Sequence, residues 1–154
     1  MDLNKEQFVN LHGHSCFSLF DGFGFPQEHM NFAHSNGSKA LALTDHGSMN
    51  GLSYQLLRAK EMKAEGKDFK PIFGVEAYYI DSLTEWQGLK EQIAQDKKRA
   101  KEIDTSDSAM VIEDEQRNDK RALSRKRHIV LLAQNQKGLE NIYEMVSKSY
   151  TCLL

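Results

Sequence analysis

The 154-residue sequence predicts an α/β fold in which parallel strands alternate with crossover helices. Three observations lead there. Short apolar runs bounded by turn residues alternate with helical periodicity in four successive units. The clearest runs are apolar on both faces, as strands of a buried parallel sheet are. The composition, 40% hydrophobic and 27% charged, suits one globular domain with a substantial core. A closed eight-unit barrel takes roughly 200 residues or more, so a half-barrel or a small open sheet is expected.

The elements follow in order. Phe8-Val9-Asn10-Leu11 reads as a strand. A Gly-rich turn from Asp21 to Phe25 follows, and Pro26 at a first helical position opens a helix over Gln27 to Asn36 that stops at Gly37. Ala40-Leu41-Ala42-Leu43-Thr44 is a buried-strand pattern; Leu52, Leu56, Leu57 and Met62 then recur at helical spacing before Gly66. Lys70-Pro71 introduces Ile72 to Ile80, rich in β-branched and aromatic residues, as a third strand. Residues 82–127 differ in kind: 11 of these 46 positions are Lys or Arg and 10 are Asp or Glu, which marks a charged insertion. Within it Thr84-Glu85-Trp86-Gln87 has the capping-box form, and Trp86, Leu89, Ile93, Ala100 and Ile103 outline one exposed amphipathic helix. His128 to Ala133 is a second buried-strand pattern and the fourth strand, and Leu139, Ile142, Tyr143 and Val146 mark a helix after Gly138.

Several function classes fall away on composition. No run approaches the 18 apolar residues of a membrane span, and no apolar signal segment follows Met1, so the expected compartment is the cytoplasm, with no membrane partner. Cys16 and Cys152 make no disulfide framework and read as free thiols. The net charge of −2 gives no long-range attraction to nucleic acid, so contact with DNA must be local.

The chemistry gathers at the strand ends. His12-Gly13-His14 puts two imidazoles on one side of an extended segment, a spacing that suits a metal ion and, taken alone, equally suits two surface histidines. Thr44-Asp45-His46 ends the second strand, Glu76 lies in the third, and His128 begins the fourth. In parallel α/β proteins ligands collect at the carboxyl ends of strands; His128 stands at the opposite end and fits a capping histidine as well. Asp21 is a turn residue that can fold back toward His14. Asp45 suits orienting a ligand histidine or a water, and Ser15 capping or bonding backbone. His29 and His34 fit packing or solvent-facing roles, and nothing pairs Cys16 with a base. A His, Asp and Glu set favours Zn²⁺, Mn²⁺ or Fe²⁺ over Mg²⁺ or Ca²⁺, and ions so held activate water and clamp phosphate. Metal-assisted phosphoester hydrolysis is the expected chemistry.

Together these segments resemble a known family. Residues 8–15 (Phe8 to Ser15), Phe17-Ser18-Leu19-Phe20-Asp21-Gly22, residues 40–47, Pro71 to Glu76, His128 to Ala133 and Asn141 to Tyr150 are similar to the N-terminal PHP (polymerase and histidinol phosphatase) domain of bacterial replicative DNA polymerase III alpha subunits. The resemblance implies part of a distorted, TIM-like (β/α)₇ barrel, up to three divalent ions, and 3′–5′ exonuclease or phosphoesterase activity. Carried over by motif, the metal ligands are His12, His14, Asp21, His46, Glu76 and His128, with Asp21, His46 and Glu76 also read as catalytic.

In the family a later cysteine and an Asp-x-His motif complete the site, and this sequence reaches neither before Leu154. It is therefore expected to be about the first half of a PHP domain, over residues 1–154, without polymerase activity of its own. Three roles stand open. The chain is one piece of a split polymerase gene, completed by a C-terminal partner through non-covalent assembly or protein splicing, with Cys152 as an intein start; or a free-standing metal-dependent phosphoesterase; or a non-catalytic interaction module docking through its charged insertion. DNA or another phosphoester is the expected substrate. The open edge of a partial barrel also invites a homo-oligomer.

Overall fold

A computed structural model describes residues 8–102 and 127–151. The chain divides into two compact units, one of residues 1–77 and 129–154, the other of residues 78–128. The elements are helix α1 (Pro26–Ser35), strand β1 (Ala40–Leu43), helix α2 (Leu52–Ala64), strand β2 (Lys70–Tyr79), helix α3 (Leu83–Glu102), strand β3 (Arg127–Leu132) and helix α4 (Gln136–Thr151). The three strands form one sheet in the order β1-β2-β3, and β1 runs parallel to β2 with Ala40 opposite Lys70 and Leu43 opposite Phe73. This mixed α/β arrangement agrees with the expected class; within the described residues it is a three-stranded sheet and not a closed barrel.

Local sequence chemistry explains the helix ends of the first unit. Pro26 opens α1, where its missing N–H costs nothing, and the backbone N–H of Phe25 donates to the Glu28 carboxylate at 2.6 Å. Gly37 closes the helix at φ 84°, a left-handed conformation that suits glycine, with its N–H on the carbonyl of His34 at 3.0 Å. The core lies between these helices and the sheet. Met30 and Met62 are fully buried, and Leu41, Leu43 and Phe69 join them with Ala33 and Ala59 at the margin. Burying an aliphatic side chain of this size contributes roughly 1.5–3 kcal/mol. Gln55, 2% exposed, donates from Nε2 to the carbonyls of Leu41 (3.4 Å) and Ile72 (3.2 Å), so α2 bonds to both paired strands.

Arg58 ties the two helices together on the surface. Its guanidinium donates to Asn31 of α1 at 2.8 Å and to Glu61 and Glu65 at 2.9 Å each. Lys67 donates to Glu65 at 2.5 Å. Hydrogen bonds from Lys67 first and Arg58 second lower the Glu65 carboxyl to about 2, while Glu65 and Glu61 raise Arg58.

Four expectations are corrected. Phe8 to Leu11 is not a strand: Asn10 makes a single parallel bridge with Leu41, and only the Ala42 N–H to Asn10 carbonyl bond (2.9 Å) marks the pairing there. An apolar run supplies strand propensity, but ladder pairing decides the element. The start of α3 is held by Ser82, whose hydroxyl accepts the N–H of Glu85 at 3.2 Å, and Thr84 lies inside the helix. Helix α4 begins two residues before Gly138, with Asn135 accepting the Gly138 N–H at 2.9 Å. Strand β2 includes Lys70 and Pro71, which were expected only to introduce it.

In the second unit Arg127 pairs with Asp81 at 3.1 Å. Lys90 stands over the Trp86 ring, 5.0 Å from its centroid, and Ile93 is 6% exposed. Ile103, the greater part of the charged insertion and Cys152 lie outside the described residues.

Candidate metal centre

Backbone pairing delivers the site residues of the first unit to one place. The Gly13 carbonyl accepts the N–H of Thr44 at 2.8 Å, which fixes the segment bearing His12 and His14 beside the end of β1. His46 follows β1 and forms a parallel bridge with Glu76 in β2. The Glu76 N–H donates to the Asp45 carbonyl (3.2 Å) and the Gly47 N–H to the Glu76 carbonyl (2.8 Å). Asp21 sits in a turn whose successive N–H groups, of Asp21 (3.2 Å) and Gly22 (2.9 Å), both donate to the carbonyl of Ser18. Gly22 presses so closely on the Ser15 backbone that a Cβ there would collide with it.

The side chains converge accordingly. His12 Nε2 and His14 Nε2 approach the same oxygen, Glu76 Oε2, at 2.5 and 2.6 Å. His14 Nδ1 contacts Asp21 Oδ2, and His46 Nε2 reaches that oxygen at 2.8 Å. His46 Nδ1 lies 3.6 Å from Glu76 Oε1. The rings of His14 and His46 are 4.4 Å apart, and those of His12 and His14 5.0 Å. Among the described residues of the first unit two overlapping groups result, His12/His14/Glu76 and His14/Asp21/His46, each with its ligand atoms within 4.8 Å of one another.

Burial is graded across the cluster. Glu76 is 2% exposed, His14 and His46 are 17% and 20% exposed, and His12 and Asp21 are about half exposed, at 52% and 49%. Partial desolvation works to raise the Asp21 carboxyl, but hydrogen bonds from His14 and then His46 outweigh it and hold the group below the ordinary carboxylate range. Burying a carboxylate such as Glu76 is costly unless it is paired or coordinates a metal. A neutral imidazole carries one N–H, yet His14 turns both ring nitrogens toward carboxylate oxygens. The donor set, three imidazoles and two carboxylates, fits a borderline divalent cation.

Five of the six expected ligands, His12, His14, Asp21, His46 and Glu76, are therefore together in the first unit. His128 belongs to the second unit, at the start of β3, its ring edge-on to Tyr78 with centroids 4.9 Å apart. The Asp45 carboxylate accepts from Ser15, the residue after His14, from the backbone N–H at 2.6 Å and from the hydroxyl at 3.1 and 2.9 Å. His29 packs near Phe23 and bonds its carbonyl at 2.6 Å, and His34 lies against Phe69. Cys16 is a free, partly buried thiol. Sequence reasoning missed Ser18, whose hydroxyl accepts the backbone N–H of His46 at 2.8 Å; a serine three residues before Asp21-Gly22 was the available signal.

Comparison with known proteins places these residues in context. The profile of the PHP domain matches residues 10–152. DNA polymerase III subunit alpha of Aquifex aeolicus is 30% identical over 146 residues, 95% of this chain and 10% of that protein. The Treponema pallidum subunit is 33% identical over 147 residues, again 95% of this chain and 10% of the relative. A PolC-type DNA polymerase III of Thermotoga maritima is 37% identical over 83 residues, 54% of this chain and 6% of its own length. Among solved structures, a Bifidobacterium adolescentis protein described as a candidate metal-dependent phosphoesterase matches with a TM-score of 0.43 and 24% identity, covering 49% of this chain and 24% of its own. The chain thus spans about a tenth of the length of the alpha subunits it matches. With the profile running through nearly all of it, this chain belongs to the PHP-domain family.

Proposed function

We propose that this PHP chain, which resembles part of DNA polymerase III alpha subunits, binds divalent Zn, Mn or Fe and serves metal-dependent phosphoester hydrolysis, of the 3′–5′ exonuclease kind when further chain completes the site. The observation that carries this reading is the pair of ligand groups sharing His14. His12, His14 and Glu76 would hold one ion, and His14, Asp21 and His46 a second; His128, assigned by motif, is proposed for a third. Ions held this way lower the pKa of bound water and neutralise the charge of a transferring phosphate.

The chain's own residues supply the rest. Glu76 contributes a carboxylate shielded from solvent, which keeps the two imidazoles facing it in a fixed arrangement. Asp21, ionised across the neutral range and half exposed, would offer its carboxylate to the second ion from the more solvent-exposed part of the cluster. Asp21, His46 and Glu76 are proposed as the residues in contact with the chemistry.

The same reading extends to partners. Residues 1–154 are proposed as one partial PHP domain carrying a charged insertion over residues 82–127. The relatives are about ten times longer, and Ile129, Leu132, Tyr143 and Met145 are all more than a third exposed on β3 and α4. A C-terminal remainder of a polymerase, joined non-covalently or by splicing at Cys152, is the proposed complement. A cytoplasmic location accords with this role; among the described residues no helix is long and apolar enough to cross a membrane.

The test is hydrolysis of bis-p-nitrophenyl phosphate and of 3′-labelled single-stranded DNA after Zn²⁺ or Mn²⁺ loading, alone and with the remaining polymerase segment. Turnover that disappears in His46→Ala supports the proposal. Stoichiometric metal without turnover in either setting favours the non-catalytic interaction module.

A further inference from the structure

Around the ligand side chains lies a second set of buried polar groups. Ser15, Ser18 and Asp45 are 0%, 1% and 4% exposed. They form two reciprocal crossings between the turn after His14 and the turn after β1. In one direction, Asp45, the residue before His46, accepts the backbone N–H of Ser15, the residue after His14, at 2.6 Å, and also the Ser15 hydroxyl. In the other, Ser18 accepts the backbone N–H of His46 at 2.8 Å, while its carbonyl receives the N–H groups of Asp21 and Gly22.

Each ligand of the second group therefore has its main chain fixed by one of these residues. Ser18 holds His46 through its hydroxyl and Asp21 through its carbonyl; Asp45 holds the peptide following His14. The His12/His14/Glu76 group shares His14 with this arrangement, and Glu76 is set by main-chain pairing with the Asp45 carbonyl and the Gly47 N–H, which the Ser18 hydroxyl does not touch.

We propose that Ser18 and Asp45 are positioning residues that pre-organise His14, Asp21 and His46 as one metal site, separately from the strand-built site around Glu76. The proposal rests on the metal-binding reading above. Groups that orient metal ligands are commonly worth 10–100-fold in metal affinity. Removing the Ser18 hydroxyl takes away the acceptor of the His46 N–H, while the flanking Asp45 carbonyl and Gly47 N–H stay paired with Glu76, and so weakens one class of site selectively. A merely structural role would instead lower the stability of the metal-free fold and weaken both classes together.

The experiment is calorimetric titration of the full metal-free chain with Zn²⁺ and with Mn²⁺, for the parent, Ser18→Ala, Asp45→Asn and Asp45→Ala. Ser35→Ala, whose exposed hydroxyl donates to the Phe32 carbonyl, is the control. Thermal unfolding in chelator is recorded for each protein. The expected result is a loss of about 10–100-fold in one class of site in Ser18→Ala, with the other class and the metal-free melting temperature retained. Asp45→Asn keeps an oxygen for the Ser15 N–H and is expected to lose less than Asp45→Ala. Parent-like affinity of both classes in Ser18→Ala, an equal fall in both, or loss of its metal-free fold would each overturn the proposal. A parent chain that takes up no metal would overturn the metal-binding reading and this proposal with it; a metal-binding parent with an unaffected Ser18→Ala overturns this proposal alone.

Discussion

Strands β1 and β3 flank the same partner, β2, and both read in the sequence as buried strands, yet the structure treats them differently. All four residues of β1 are buried, Leu41 and Leu43 against Met30 of α1 and Met62 of α2. In β3 no residue is fully buried, and Ile129 and Leu132 are 43% and 36% exposed. An apolar run thus tells what a strand is suited to pack against; the neighbouring elements decide whether anything does. The ligand-rich turns lie at the well-packed end of this contrast, following β1 and its bridge to residues 10–13.

The contrast can be sharpened by substitution, beginning with the largest effect. His14→Ala combined with Glu76→Ala removes a ligand from both groups and is expected to abolish metal uptake while leaving far-ultraviolet circular dichroism close to the parent's. Leu43→Ala, in the covered strand, is expected to lose about 2–5 kcal/mol in urea unfolding, since it opens a cavity among Met30, Met62 and Phe69. Ile129→Ala, in the open strand, should lose less than about 1 kcal/mol, because much of its surface already meets water. Equal losses at the two positions would break the comparison.

The smallest effect concerns the surface tie between α1 and α2. Glu65 titrates at about 2 in the folded chain against an ordinary value of 4.5. A carboxyl depressed on folding stabilises above its unfolded value, and that contribution is lost as pH falls toward the folded one. Glu65→Gln is therefore expected to melt slightly below the parent at pH 7, with the gap closing as pH drops from 4.5 toward 2. A gap that is constant with pH would remove the ion pairs as its cause.

Much of this was legible in the sequence, for identifiable reasons. Pro26, Gly37 and Gly66 mark helix ends through local backbone preference, so α1 and α2 lie close to where they were expected. Phe8 to Leu11 misled because strand identity needs a partner, and only Asn10 finds one. Thr84 misled because several residues there have cap chemistry, and the backbone selects Ser82. His12, His14, Asp21, His46 and Glu76 stood out as metal-ligand types near predicted turns and strand ends. The role of Ser18, and the route by which Asp45 acts, were hidden because both bond main-chain groups 28 and 30 residues away, a relation that spacing does not encode.

The central claim is that the first unit assembles a metal centre from His12, His14, Asp21, His46 and Glu76. Elemental mass spectrometry on protein purified without chelator, beside the His14→Ala, Glu76→Ala double variant, tests it most directly. The account predicts one or more equivalents of Zn, Mn or Fe in the parent and none in the variant. A metal-free parent, or equal metal in both proteins, would contradict it.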